Sequence, residues 1–93
     1  MKKFFYRVGS NDTVLSVSLR FSIPCALIIK KNNLSRELEE GDLLYLEVDN
    51  SRVYKVSPCD TLSGISRKTG VPEQKILSDN SIDYVFYPLV LLV

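Results

Sequence analysis

The chain has 93 residues, 45% of them apolar and 25% charged, the proportions of an ordinary folded domain rather than of a disordered or fibrous chain. Twelve lysines and arginines against eleven aspartates and glutamates leave a net charge of +1, so no sequence-wide field attracts phosphate backbones or anionic lipid, and nucleic acid is not an expected partner. The lack of histidine removes the commonest general base and metal ligand, which argues against an enzyme.

Lys2-Lys3-Phe4-Phe5-Tyr6 imitates the start of an export signal, but Arg7 interrupts the apolar run before a hydrophobic segment can form, so no export signal is expected. Phe4 to Val8 is short, aromatic and β-branched and stops at Gly9-Ser10-Asn11, which predicts a strand and a turn. Asp12 and Thr13 follow. Either type accepts a hydrogen bond from the free N–H groups of a helix's first turn, and capping is the main role read for Asp12. Val14, Val17, Ser18 and Phe21 then trace the i, i+3, i+4, i+7 stripe of a helix with one buried face. Ser18 is small enough to let a second helix approach, provided that its hydroxyl finds a backbone acceptor.

Ser22-Ile23-Pro24 ends this helix, because proline disfavours helical geometry in the residue before it and suits the first turn of a new helix. The second helix carries Ile28 and Ile29 and stops at Asn32, a residue type that tolerates the left-handed geometry of a helix end. An irregular loop holding Leu34 and Leu38 follows. Its acidic run, Glu37, Glu39, Glu40 and Asp42, reads as a solvated turn rather than as a catalytic carboxylate pair, and no Gly-rich phosphate loop is present. Gly41 leads into a strand through Val48, and Asp49 to Arg52 is a polar linker.

From there the chain repeats itself. A shift of 48 positions lays it on itself without a gap, placing Tyr6 on Tyr54, Asp12-Thr13 on Asp60-Thr61, Ser18 on Ser66, Pro24 on Pro72, Ile28 on Ile76, Asn32 on Asn80 and Leu44 on Leu92, the mark of one structural unit used twice. The second copy runs from a strand at Val53–Val56 through the turn Ser57-Pro58-Cys59 to a helix stripe of Leu62, Ile65, Ser66 and Thr69. Gly70-Val71-Pro72 breaks it, a second helix carries Ile76 and Leu77 to Asn80, and a loop with Ile82 and Phe86 precedes the strand Leu89–Val93, with Leu89 in the place of Gly41. The predicted fold class is α+β: tandem βααβ units over residues 1–48 and 53–93, joined by residues 49–52. In each, the first and last segments form a two-stranded antiparallel sheet covered on one face by a helical hairpin.

Cys25 and Cys59 do not occupy equivalent positions, so free thiols are expected, with one cross-repeat bridge left open. Lys2-Lys3, Lys30-Lys31 and Arg67-Lys68 read as solvated faces. Val85 to Val93 is almost wholly apolar yet too short to cross a bilayer as a helix, which takes about 20 residues. Leu89, Val90, Leu91 and Val93 show no alternation, so the last strand needs cover on both faces. The first repeat, a second copy in a homodimer, or another protein can supply it, and the last two make an assembly or targeting module the rival to any ligand-binding function.

The Tyr-x-Val strand, the Asp-Thr turn before an apolar helix stripe, the Ile-Pro or Val-Pro step, the asparagine ending the second helix, and Gly41-Asp42-Leu43-Leu44, most of them present twice in one order, resemble the LysM family. The resemblance implies a βααβ module that binds N-acetylglucosamine polymers, bacterial peptidoglycan or chitin, without catalysis or cofactor. It implies a shallow groove between the first strand–helix turn and the loop before the last strand. Carried over, that marks Asn11, Asp12, Thr13 and Val14 with Leu34 and Leu38, and Cys59, Asp60, Thr61 and Leu62 with Ile82 and Phe86. Read from the residues alone, Val14, Leu62, Leu34 and Ile82 are core positions, and Tyr45 and Tyr87 are either stacking platforms or packing. Without an export signal, the resemblance points to proteins of a spore envelope, made in the cytoplasm and assembled around a cell-wall layer. Asn11 and Cys59 stand where the family carries glycine.

Overall fold

The computed structural model describes residues 2–93. β1 (Lys2–Arg7), α1 (Val14–Phe21), α2 (Cys25–Lys31) and β2 (Leu43–Val48) are followed by a 3-10 turn at Asn50–Arg52 and then by β3 (Val53–Lys55), α3 (Leu62–Thr69), α4 (Glu73–Asn80) and β4 (Val90–Leu92). β1 pairs antiparallel with β2, and β3 with β4, in two separate two-stranded sheets. This is the α+β, twice-βααβ architecture that the repeat predicted.

Local chemistry sets the helix ends. Thr13 is the residue that caps α1: its hydroxyl accepts the Ser16 N–H at 3.0 Å while Ser16 Oγ accepts the Thr13 N–H at 2.8 Å, a reciprocal capping box. Thr61 caps α3 one way only, its hydroxyl accepting the Gly64 N–H at 3.1 Å, since Gly64 has no side chain to return the bond. The capping role read for Asp12 and Asp60 is thus corrected, because the threonine one position on reaches the first-turn N–H groups and frees each carboxylate for the turn behind it. Asp12 accepts the Gly9 N–H at 2.8 Å and the Tyr6 hydroxyl, and Asp60 accepts the Ser57 N–H at 2.8 Å and the Tyr54 hydroxyl at 2.7 Å. A cation from the facing helix closes each latch: Arg20 lies 3.6 Å from Asp12 and Lys68 lies 3.2 Å from Asp60.

The serines find their acceptors in the chain that turns into the second helix. The Ser18 hydroxyl donates to the Ile23 carbonyl, and Ser66 donates to Val71 at 2.7 Å, so both tie the first helix of a unit to the approach of the second. Asn32 and Asn80 correct the reading more deeply. The left-handed residues are Asn33 and Ser81, at φ 49° and 54°, each one position later. The Asn32 side-chain carbonyl accepts the Tyr45 N–H at 2.7 Å and its NH₂ donates to the Tyr45 carbonyl at 2.9 Å. Asn80 makes the same pair of bonds to Leu92, at 2.7 and 2.9 Å. Each amide therefore pairs with the free edge of the last strand as a neighbouring strand's backbone would.

Val8, Val17, Ile23, Ile28, Leu44 and Leu46 are buried together in the first unit, and Val56, Ile65, Ile76, Leu89 and Leu91 in the second. The first core is extended by Phe21, whose ring meets those of Phe4 and Tyr6 at 5.1 and 5.3 Å; Thr69 stands at its place in the second copy. The units also share apolar contacts. Leu15 of α1 packs on the second core, and α2 lies against both α4 and β4. Val90 points away from Leu89 and Leu91, yet it is only 4% exposed. The cover that the last strand needs is therefore found within the same chain, and Leu89, Val90 and Leu91 are not available as an open surface for a homodimer or a protein partner.

The gapless repeat slips by one residue near its end. Tyr6 pairs with Leu44, but Tyr54 pairs with Leu91 rather than Leu92. The Val8 N–H reaches the Asp42 carbonyl at 2.8 Å and the Val56 N–H reaches that of Leu89 at 2.9 Å, so Leu89 matches Asp42, and Pro88 holds the place of Gly41. The Gly41 N–H donates to the Val8 carbonyl at 2.8 Å. Pro88, which follows a cis peptide bond, has no N–H with which to repeat that bond.

Asn80→Ala strands the half-buried N–H and carbonyl of Leu92 and is expected to destabilise the protein by about 1–3 kcal/mol; Asn80→Asp, which accepts but cannot donate, should recover only part of this in urea unfolding. Leu91→Lys places a charge at a fully buried position, so circular dichroism should report unfolding rather than a soluble monomer released from an oligomer. Hydrogen bonds hold the carboxylates of Asp12 and Asp60 below the ordinary range, chiefly from the Tyr6 phenol for Asp12 and the Ser57 N–H for Asp60. A group lowered on folding adds stability that is complete above its unfolded value, about 3.9, and lost as pH falls through the folded one. The urea midpoint should therefore drop between about pH 5 and about pH 2, and less steeply when Asp12→Asn and Asp60→Asn are combined.

Candidate functional site

Each unit presents two irregular segments side by side at the end of its sheet. In the first, the turn from Gly9 to Thr13 faces the loop from Asn33 to Asp42, and the mutual bonds of Val8 with Asp42 and Gly41 tie the two together. In the second, the turn from Ser57 to Thr61 faces the loop from Ser81 to Leu89, tied by Val56 and Leu89. Half-buried apolar side chains of these segments, Val14, Leu34 and Leu38 in the first unit and Leu62, Ile82 and Val85 in the second, pack against the two cores.

The residues marked by the family resemblance divide into exposed and half-buried positions. Asn11, Thr13, Cys59 and Thr61 are exposed. Val14, Leu34 and Leu38 are half-buried against the first core, and Leu62 and Ile82 against the second. Asp12 and Asp60 sit between, with only 10% of either side chain exposed and the oxygens engaged by their own turns. Phe86 departs from this arrangement. Val85 packs inward on the second core as Leu38 does on the first, while Phe86 is 38% exposed. The residue lost from this loop moves the inward position one place back, a shift that a gapless alignment hides.

The two loops differ in what stiffens them. Arg36 grips Asp42 with two bonds of 3.0 and 3.1 Å and donates to the Glu37 carbonyl at 2.8 Å, and Asp42 also accepts the Glu39 N–H at 2.9 Å. The guanidinium is the main cause that lowers the Asp42 carboxyl, and that carboxylate in turn raises Arg36. Asp42 is thus the clasp of its loop and not a member of a merely solvated acidic run. Tyr84, Phe86 and Tyr87 stand in the corresponding stretch of the second unit, where no ion pair matches among the described residues. Among the described residues, no three His, Cys, Asp or Glu side chains gather as metal ligands would, and Cys25 and Cys59 are free thiols.

A concavity of about 200 Å³ opens away from these turns between α2, β2 and the start of β3. Ile23, Pro24, Leu27, Leu46 and Val53 line it, with Lys31 and Glu47, 3.5 Å apart, among the residues at its margin. Nothing in the residue pattern marked this place, because its walls come from α2, the end of β2 and a residue beyond the linker.

Comparison with known proteins gives one family and several solved structures, among them two spore cortex-lytic enzymes. The family described as the LysM domain matches residues 6–45 and 54–84. The crystal structure of the Bacillus cereus spore cortex-lytic enzyme SleL is similar at 24% identity and a TM-score of 0.49, over 100% of this chain and 23% of that one. That of the Bacillus megaterium enzyme is similar at 28% identity and a TM-score of 0.46, over 96% and 22%. This chain thus spans less than a quarter of either. No curated protein matches it. The two matched stretches lie one in each βααβ unit and together cover most of the sequence, and the chain belongs to the LysM domain family.

Proposed function

We propose that the protein is a non-catalytic binder of N-acetylglucosamine-containing polymers, with peptidoglycan as the principal ligand and chitin as its chemical relative. The observation that carries this reading is the membership of both halves in the LysM family, together with a turn and a loop that are held by their own hydrogen bonds beside half-buried apolar side chains. An N-acetyl substituent offers one N–H, one carbonyl and a methyl group. Backbone groups at Asn11–Thr13 or Cys59–Thr61 suit the first two, and the side chains of Val14, Leu34 and Leu38, or of Leu62, Ile82 and Val85, suit the methyl.

The engagement of Asp12 and Asp60 within their turns supports recognition by a preorganised backbone, since a groove that is already ordered loses little entropy on binding. A shallow groove of this kind binds weakly by itself. Two on one chain raise the apparent affinity for a polymer when both reach it. The rival, assembly through the last strand, is disfavoured by the burial of Leu89, Val90 and Leu91 within the chain.

Asn11→Trp and Cys59→Trp put an indole on an exposed position beside each proposed groove while leaving the capping threonines and the core in place. The wild-type protein should pellet with purified peptidoglycan and, less completely, with chitin; each variant should reduce pelleting, and the pair together should abolish it. A wild-type protein that stays in the supernatant with both polymers would overturn the proposal.

A further inference from the structure

Three aromatic rings project from the loop between α4 and β4 within four residues: Tyr84 is 67% exposed, Tyr87 57% and Phe86 38%. Ile82 and Val85 of the same loop pack inward, so the backbone is fastened from below while the rings are turned out. Tyr84 and Phe86 contact each other, with centroids 5.6 Å apart and planes inclined at 50°, a tilted pairing that limits the freedom of both. Rings left in water on a fastened loop forgo the burial that drives folding, and such a cluster marks a contact surface. The corresponding loop of the first unit carries Arg36, Glu37, Glu39 and Glu40 instead, with Arg36 committed to Asp42.

We propose that Tyr84 and Phe86 form a stacking platform for the pyranose faces of a bound glycan, which makes the second unit the tighter of the two sites; this rests on the glycan-binding reading above. A pyranose ring with equatorial substituents presents C–H bonds on its face and hydroxyls around its rim. A tyrosine offers the complementary surface, an apolar face with a polar edge, and gives it at low entropy cost because only two torsions must be fixed. The setting favours a sugar over a protein partner. Ser81 and Asp83 on the same loop are exposed as well, so the aromatic surface has polar neighbours, as a sugar with its rim of hydroxyls requires. The platform also lies on the loop that forms one wall of the proposed groove, where a chain of sugars leaving the N-acetyl site would pass.

Titration calorimetry with the chitin tetrasaccharide on the full chain, comparing wild type with Tyr84→Ala, Phe86→Ala, Tyr84→Phe and, as a control on the first loop, Glu37→Ala, tests this. Each alanine variant on the second loop is expected to weaken binding about five-fold or more, the range seen when one ring is removed from a stacking platform. Tyr84→Phe should stay within about two-fold of wild type, because the face is kept; Glu37→Ala should be unchanged. Measurable wild-type binding that neither alanine variant weakens overturns the platform and leaves the groove reading standing. Weakening by Tyr84→Phe equal to that by Tyr84→Ala also overturns it, since a hydroxyl contact would then explain the loss. No binding by wild type to the tetrasaccharide or to peptidoglycan removes the glycan-binding reading, and the platform with it. Unchanged far-ultraviolet circular dichroism of all variants excludes misfolding as the cause of any loss.

Discussion

A side-chain amide standing in for a missing strand is the constraint on which both units depend. A sheet of two strands has no interior, and an isolated pair is marginal in water. Asn32 and Asn80 each occupy both backbone groups of one residue on the open side of the last strand, and each also donates to the carbonyl of Ile28 or Ile76 in its own helix. One residue therefore joins the end of the helical hairpin to the sheet it covers. The consequence reaches side-chain packing. Because Tyr45 directs its N–H and carbonyl toward Asn32, its contact with Phe5 across the sheet is of the non-hydrogen-bonded kind, in which side chains lie closest, and the two rings meet at 5.5 Å on the outer face.

Around that clamp the same fasteners recur with different residues. The aspartate latch takes Arg20 in one copy and Lys68 in the other, and the first helix ends on Ser22 or Gly70, both in the left-handed region at φ 58° and 75°. Glycine reaches that region freely and serine at a cost. The first unit answers with a larger core, since Phe4, Tyr6 and Phe21 meet edge to face. The second, with shorter strands and Thr69 in the place of Phe21, leans on its neighbour: Leu15 and α2 cover what it does not cover itself. The halves are thus copies in design but not equal in self-sufficiency.

The parts that hold the fold and the parts open to a ligand are separated by depth. Tyr6, Asp12, Tyr54 and Asp60 spend their hydrogen bonds on shaping turns, while the facing loops vary with little effect on that frame. One loop is clasped by Arg36 and Asp42 and the other fastened by Val85 and Leu89. Surface loops tolerate such divergence because few of their groups are buried, and that is where duplicated modules acquire different contacts.

The sequence by itself determined the number, order and type of the elements. Apolar stripes, prolines that restart a helix, and Asp-Thr turns are local signals, and they appeared twice. It also held the capping threonines and the serines' need for a backbone acceptor. Tertiary structure decided the partners. Whether Asp12 or Thr13 caps α1, and whether Asn32 bends the chain or clamps Tyr45, depends on groups up to 13 positions away, and residue type alone permits either. The one-residue slip that matches Leu89 to Asp42 and turns Phe86 outward became visible only through strand register, because a deletion inside an irregular loop leaves no periodicity to betray it. The cover over Val90 likewise came from the other repeat, a contact that exists only once both units have folded and packed together.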